Sequence, residues 1–162
     1  MVRKTPFLFF FFALTAVVFA QAESEHEDFW ISMSGDGSMY SSSGLAFGGG
    51  LSFGYGSGLS IGIKAVWYFG AEDLNTFELN VILRFYLEGQ QAYSGPFIQF
   101  MGGPTFYGFM ESAAIPAEVG MISAGLCFGW RFLFVDSLFI EPSIRVGFPY
   151  IVSAAISLGI RF

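Results

Sequence analysis

The last ten residues of the chain, 153–162, alternate between two kinds of side chain. Ala154, Ile156, Leu158, Ile160 and Phe162 occupy every second position, and the residues between them are small, polar or charged. A period of two is the spacing that a pleated strand imposes on its two faces. Ten residues is also about the length of a strand that crosses a bilayer at the tilt of a barrel. The pattern predicts a membrane-spanning strand with one apolar face.

The same alternation recurs through most of the chain. Short segments rich in Gly, Ser, Pro, Asn or acidic residues separate the alternating stretches and predict turns and loops. Residues 35–43, rich in Gly and Ser, are predicted to form a loop after the first strand. The Gly-Gly-Pro sequence at 102–104 predicts a bulge or kink in the fifth strand. The predicted strands cover residues 28–34, 45–55, 59–69, 77–87, 96–107, 122–132, 140–148 and 153–162.

Eight strands joined by short connections predict an all-β fold, an eight-stranded antiparallel up-and-down transmembrane β-barrel. Closing the sheet pairs every strand edge, which a hydrocarbon environment requires. A soluble sandwich with an apolar interior would show the same alternation. Composition argues against the sandwich, because only 12% of the residues are charged, against ~25% in a typical soluble protein. Hydrophobic residues make up 54% of the chain and aromatic residues 20%.

The N-terminal segment has the three parts of a secretory signal peptide. Arg3 and Lys4 precede an apolar run over residues 7–20, and Ala20 and Ala22 supply the small residues that a signal peptidase reads. A membrane-anchoring helix is disfavoured, because the run is short and an acidic stretch follows it at once. We therefore predict that residues 1–22 are a cleaved signal peptide and that residues 23–162 form the barrel with a short acidic N-terminal tail.

The last predicted strand stops on an aromatic side chain, Phe162. The signal-like start, the alternating strands and this terminal strand resemble small bacterial outer-membrane β-barrel proteins of the OmpA, OmpX and OmpW type. The resemblance implies localisation in the bacterial outer membrane after secretion. It also implies contact with outer-membrane lipid, escort by periplasmic chaperones and recognition by the barrel-assembly machinery. The implied assembly signal is Ile156, Leu158, Ile160 and Phe162.

All five basic residues that follow the leader fall on the small or polar faces of their strands. Arg or Lys on the lipid side at midplane costs ~2–4 kcal/mol, so these faces are expected to line the lumen. Hairpin counting places Glu141 near Arg131 and Arg161, which predicts a cluster of these three with Arg84 nearby. Buried charges need partners, so we interpret the charges as filling the lumen, with a charge plug or narrow anion-favouring path as the alternative. The predicted lumen charge network is Lys64, Glu78, Arg84, Arg131, Glu141, Arg145 and Arg161.

Residues suited to catalysis or metal binding are scarce. The single histidine, His26, lies in the acidic tail, and the single cysteine, Cys127, precludes an intrachain disulfide and is interpreted as a small lumen filler. We predict no enzymatic activity, no catalytic residue, no metal site and no cofactor. The formal charge of −6 and the lack of a basic cluster argue against nucleic-acid binding.

Two functions suit such a barrel. The first is a structural or surface-interaction role with a lumen filled by polar and charged side chains. The second is a narrow conduit for small, mainly hydrophobic solutes, similar to OmpW, in which a small apolar molecule would be the ligand. Pro104 and Pro142 each delete a ladder donor, which could open a lateral gap. We expect the structural role; an apolar outer half with a wall opening would favour the conduit instead.

Overall fold

Eight antiparallel strands form a closed barrel in the computed structural model. The structure describes residues 29–40, 44–69, 75–87, 94–107, 118–135 and 137–162. Each strand pairs with the next one along the chain, and β8 pairs with β1 to close the ring. The strands are β1 (Phe29–Tyr40), β2 (Gly44–Tyr55), β3 (Leu59–Phe69), β4 (Thr76–Tyr86), β5 (Gly95–Tyr107), β6 (Glu118–Leu133), β7 (Leu138–Phe148) and β8 (Tyr150–Arg161). Among the described residues, no helix is long and apolar enough to cross a membrane.

The chain runs up and down, so the strand ends collect at two rims. β1 begins and β8 ends at one rim, which we call the terminus end. There the backbone N–H of Phe162 donates to the carbonyl oxygen of Phe29 at 2.8 Å. The connections after β2, β4 and β6 also lie at the terminus end. The connections after β1, β3, β5 and β7 lie at the opposite rim, the loop end.

Strand β4 illustrates how the alternating sequence sorts side chains between the two faces of the wall. Glu78, Asn80 and Arg84 point inward and are buried, whereas Leu79 and Val81 between them are exposed on the outer face. Successive side chains of a strand point to opposite faces, so residues at alternate positions face the barrel interior and its outer surface. Most of the large hydrophobes therefore lie on the outer face, and most of the charged strand residues lie in the interior.

Large apolar side chains cover the outer wall on every strand. At the centre of the wall, Val81 is 37% exposed and Ile144 is 57% exposed. Exposed apolar area of this extent is unusual for a soluble monomer. Further members of this outer belt are Met33, Leu45, Phe47, Leu51, Ile63, Phe69, Leu79, Phe100, Ile122, Phe128, Val146 and Leu158.

The predicted all-β, eight-stranded antiparallel up-and-down fold is confirmed, and the first strand is longer than predicted. β1 continues to Tyr40, whereas residues 35–43 were predicted to be a loop. Gly35 pairs with Gly49 on β2 and with Ile156 on β8, so both ladders support the segment. The glycines that suggested a loop occupy outward positions of a strand that is paired on both sides.

Two other strand boundaries also differ from expectation. β6 begins at Glu118 rather than at residue 122, and β8 begins at Tyr150 rather than at 153. The register of β5 with β6 shifts between Thr105 and Phe106, just beyond the Gly-Gly-Pro sequence that predicted it. In the ladder of β6 with β7, the pairs opposite Glu141 and Pro142 are missing. The ladder of β7 with β8 is continuous there, and Pro142 pairs with Ile156.

At Gly103, strand β5 lies close against the backbone of strand β4. A Cβ at Gly103 would overlap the carbonyl oxygen of Leu79, a backbone atom that cannot move aside. We expect Gly103→Ala to lower the free energy of unfolding by ~1–3 kcal/mol, the usual cost of overpacking, measured by urea titration in micelles. Gly35→Ala is the matched control, because a Cβ at Gly35 has no heavy atom within 4 Å. Equal stabilities of the two variants would contradict the close approach.

Candidate functional site

Polar and charged side chains fill much of the barrel interior, and they come from all eight strands. Four cations, Lys64, Arg84, Arg131 and Arg145, form ion pairs there with three carboxylates. The buried uncharged polar residues include Ser32, Ser34, Ser38, Ser52, Ser60, Thr76, Asn80, Gln99, Thr105, Ser123, Ser153 and Ser157. We refer to this interior as the lumen and describe it from the terminus end to the loop end.

Two arginines share one carboxylate oxygen near the terminus end. Arg84 Nη1 donates to Glu141 Oε1 at 2.6 Å, and Arg131 Nε donates to the same oxygen. Glu141 is 2% exposed and Arg131 1% exposed, so water cannot screen the pairs. Arg84 also donates from Nε and Nη2 to Gln99 Oε1, at 3.0 and 2.8 Å. Because Glu141 carries one charge and faces two cations, this cluster has an excess positive charge.

Aromatic rings surround the two arginines of this cluster. The guanidinium carbon of Arg84 lies 4.2 Å from the ring centroid of Phe97 and 4.6 Å from that of Trp30. The guanidinium carbon of Arg131 lies 3.8 Å from the ring centroid of Phe139 and 5.1 Å from that of Trp30. The negative face of an aromatic ring attracts a cation, most strongly where water is excluded. The rings thus offset part of the positive charge that Glu141 leaves uncompensated.

An ion pair between Lys64 and Asp36 lies in the middle of the lumen. Lys64 Nζ donates to Asp36 Oδ1 at 2.8 Å, and Ser34 Oγ donates to Asp36 Oδ2 at 2.5 Å. β1 presents Ser34 and Asp36 inward because they are two residues apart on one strand face. The pair joins β1 to β3 across β2, and it is independent of the arginine cluster.

A third pair, towards the loop end, joins β4 to β7 across the lumen. Arg145 donates to Glu78 from Nη1 at 2.7 Å and from Nη2 at 3.3 Å. Asn80 Nδ2 donates to the same carboxylate at 3.2 Å, and Ser123 Oγ donates to Asn80 Oδ1 at 2.6 Å. Such a two-pronged arginine contact fixes the geometry as well as the charge balance.

Above this pair, a small apolar cluster occupies the loop end of the lumen. It consists of Ala46, Val66, Tyr68 and Tyr150, each 1% exposed. The rings of Tyr68 and Tyr150 lie 4.3 Å apart between centroids. A central cavity of about 20 Å³ lies among the ion pairs, and Asp36, Lys64 and Glu141 help to line it. A volume of this size holds about one water molecule.

Solved structures match this fold. No family model matches the sequence, and no curated protein matches it either. Neisserial surface protein A (NspA) aligns with a TM-score of 0.62 at 13% identity, over 83% of this chain and 95% of that chain. The chain has the fold of a small outer-membrane barrel. The N-terminal β-barrel domain of Pseudomonas aeruginosa OprF aligns with a TM-score of 0.53 at 17% identity, over 82% of this chain and 97% of that one.

A designed protein has the same architecture. The de novo designed barrel TMB2.3 aligns with a TM-score of 0.50 at 11% identity, over 86% of this chain and 98% of that chain. Identities this low establish a common fold and carry no residue roles from one protein to another. The roles of the lumen residues must therefore be argued from this chain itself.

The ion pairs of the described part of the lumen include Lys64, Glu78, Arg84, Arg131, Glu141 and Arg145 from the predicted charge network. The arginine that shares Glu141 with Arg131 is Arg84. Arg161 lies half-buried at the terminus end, opposite Trp30 in the ladder of β8 with β1. Asp36 is the charged lumen residue that the sequence-based network lacks. The sequence pattern that indicates an inward Asp36 is the alternation of polar residues with glycines, which continues beyond Ser34.

The other predicted sites fall partly outside the described residues. Ile156, Leu158, Ile160 and Phe162, the predicted assembly signal, all lie exposed on the outer face of the last strand or just after it. Ala20, Ala22 and the signal segment lie outside the described residues, as does His26 in the acidic tail. Cys127 is buried in the lumen and lines the central cavity. No group of three or more potential metal ligands occurs among the described residues.

Proposed function

We propose that the chain is an integral β-barrel of a bacterial outer membrane, with a structural or surface-interaction role and without enzymatic activity. The observation that carries the proposal is the inverted distribution of side chains. Ion pairs such as Glu141 with Arg84 and Arg131 lie inside, and large hydrophobes cover the outside. A soluble protein places its charges on the surface, where water solvates them. A wall of exposed hydrophobes is stable where hydrocarbon surrounds it.

The filled lumen favours a structural role over transport. The arginine cluster, the Asp36–Lys64 pair and the Glu78–Arg145 pair occupy successive levels, and the central cavity measures about 20 Å³. An eight-stranded barrel is just wide enough for its own side chains. The ion pairs would then stabilise a rigid barrel wall. The loops would be the part available for adhesion or for contacts with other envelope components.

Assembly of this barrel would follow the route of other secreted barrels. The signal segment at residues 1–22 would direct export, and periplasmic chaperones would escort the unfolded chain. The outward-facing residues of the last strand, which end in Phe162, would be recognised by the barrel-assembly machinery. Outer-membrane lipid would then contact the outer belt along all eight strands.

Passage of small, mainly hydrophobic solutes is the second candidate. The supporting observation is the missing pairs in the ladder of β6 with β7 beside Pro142, because an interrupted ladder is the place where a wall could open. Three buried ion-pair groups and the serine-rich lining of the cavity count against an apolar path. We therefore rank the conduit below the structural role.

Single-channel recording in planar bilayers tests the closed lumen. We expect no conductance steps from the refolded native protein, because side chains fill every level of the interior. Glu141→Ala removes the carboxylate that holds Arg84 and Arg131 together, and the two cations should then repel each other. We expect that variant to stay closed as well, because the Asp36–Lys64 and Glu78–Arg145 pairs still fill the other levels of the lumen. Anion-selective steps from this variant alone would instead identify the arginine cluster as the plug.

Two controls accompany this recording: a variant that keeps the charge, and a check that each protein is inserted and folded. Ser157→Ala removes a small buried hydroxyl from the wall of the cavity without changing the charge, so it should stay silent. Insertion of each variant into vesicles is checked by electrophoretic mobility and circular dichroism before recording. Conductance steps from the native protein would contradict the closed lumen. Uptake of an apolar dye by vesicles that contain the native protein would favour the conduit.

A further inference from the structure

An apolar groove crosses the outer wall over the four adjacent strands β6, β7, β8 and β1. Its volume is about 770 Å³, which falls in the size range of small-molecule sites in proteins. The floor is formed by the small outward residues Gly35 and Ala154 together with Pro142. Phe128 and Trp130 on β6 rise along one side. The groove thus results from a row of small residues beside an aromatic ridge.

The position of Pro142 keeps the floor of the groove apolar. The ladder of β6 with β7 lacks its pairs opposite Pro142 and Glu141. Proline brings no N–H to this position. The ladder of β7 with β8 remains continuous through Pro142 and Ile156.

We propose that this groove binds one acyl chain of a membrane lipid, a site that rests on the proposed membrane location. The groove is continuous on both sides with the outer belt, because Ile144 and Ile156 line it and are themselves 57% and 59% exposed. Its surroundings would therefore be hydrocarbon. A flexible chain without hydrogen-bonding groups suits a groove lined mainly by apolar groups, beside the Ser143 hydroxyl and the Trp130 indole N–H.

A second copy of the protein fits the groove less well. Ten residues line it, whereas a stable protein interface uses about 20–30 residues on each side. An acyl chain needs only a narrow apolar channel. It gains affinity from the same dispersion contacts that small floor residues allow at close range.

Quenching of tryptophan fluorescence by a phosphatidylcholine with brominated acyl chains tests the site. The protein is refolded in detergent micelles and titrated with this lipid. Trp67→Phe leaves Trp130 as the outer-wall tryptophan, and Trp130→Phe leaves Trp67, which lies on β3 away from the groove. Trp30 is 1% exposed inside the lumen and contributes equally to both. We expect Trp130 quenching to saturate near one lipid per protein, at a lipid concentration on the order of tenfold below that for Trp67.

Two leucine variants separate binding in the groove from general contact with the wall. Gly35→Leu adds an apolar side chain to the floor, at a position where a new Cβ has no heavy atom within 4 Å. Gly49→Leu is the matched control, since Gly49 pairs with Gly35 but lies outside the groove. We expect early Trp130 quenching to disappear in the first variant and to persist in the second. If Gly35→Leu fails to fold, Ala154→Leu takes its place.

Several outcomes would overturn the site. Equal quenching of Trp130 and Trp67 at every lipid ratio would mean general wall contact only. A dimer in light scattering that Gly35→Leu dissociates would assign the groove to a second copy. Insertion into phosphatidylcholine vesicles is measured in parallel. Successful insertion without early quenching rejects the groove site alone, whereas failed insertion rejects the membrane barrel itself.

Discussion

Glu141→Ala is expected to lower the free energy of unfolding of the barrel by ~3–5 kcal/mol, because it leaves two buried cations without their carboxylate. Arg84 and Arg131 both donate to Glu141 Oε1, and all three side chains are at least nine-tenths buried. The aromatic rings around the arginines would offset only part of the loss. Reversible urea unfolding in the presence of lipid vesicles measures the change.

A double-mutant cycle identifies the charge as the cause. Arg131→Met removes one cation and keeps an apolar stem of similar length, so the double variant Glu141→Ala/Arg131→Met should be more stable than the sum of the single changes predicts. Glu141→Gln keeps the shape and one acceptor oxygen but no charge, and we expect an intermediate loss. A loss under ~1 kcal/mol for Glu141→Ala would mean that the rings alone hold the arginines.

Val81→Arg should destabilise the inserted barrel by ~2–4 kcal/mol, the cost of a cation on the lipid side at midplane. Val81 is at the centre of β4, faces outward and pairs with Gly102 and Ile63 on the neighbouring strands. The same measurement of unfolding from vesicles applies. A soluble barrel would tolerate this exposed arginine, so the variant tests the environment of the outer wall directly.

The matched variant for depth is Leu87→Arg on the same side of the barrel. Leu87 follows the end of β4 at the terminus end and is 59% exposed. At an interface the cost falls to about 0–1 kcal/mol, because the guanidinium reaches water and headgroups. Equal costs for the two variants, or no cost at either position, would be evidence against a bilayer around the wall.

The period of two was enough to predict the strand count, the closed topology and the face on which most side chains lie. On β4 the alternation is strict, and the predicted faces of Glu78, Asn80 and Arg84 are those of the structure. The pattern is informative because a one-residue slip would move every side chain to the opposite face. Soluble sheets share this alternation, and the proposed membrane location is supported by the large hydrophobes exposed on the outer wall.

Glycine caused the largest error along the chain. Gly35 and Gly37 were interpreted as loop residues, and the inward Asp36 between them was therefore left out of the charge network. Glycine disfavours an isolated strand because it is flexible. Here the ladders on both sides hold the backbone in place, so the local preference is overridden.

The partners of Glu141 could be predicted only in part, because they depend on geometry across the lumen. Counting along a hairpin identifies neighbours on adjacent strands, and it placed Arg131 on β6 near Glu141 on β7. Arg84 is on β4, three strands away along the wall, and reaches Glu141 across the interior. Such a contact depends on the stagger of the strands around the ring, which no single hairpin reveals.

Closure of the ring by β1 and β8 has a kinetic consequence. The hydrogen bond from Ser38 to Ser153 joins residues 115 positions apart, and the whole ladder between these strands spans similar separations. Contacts so distant in sequence form late, because the entropic cost of bringing the two ends of the intervening chain together must be overcome first. Until they form, both edge strands carry unpaired backbone groups that hydrocarbon would not tolerate. Insertion and completion of the fold should therefore be a single concerted event, with no stable half-inserted barrel along the way.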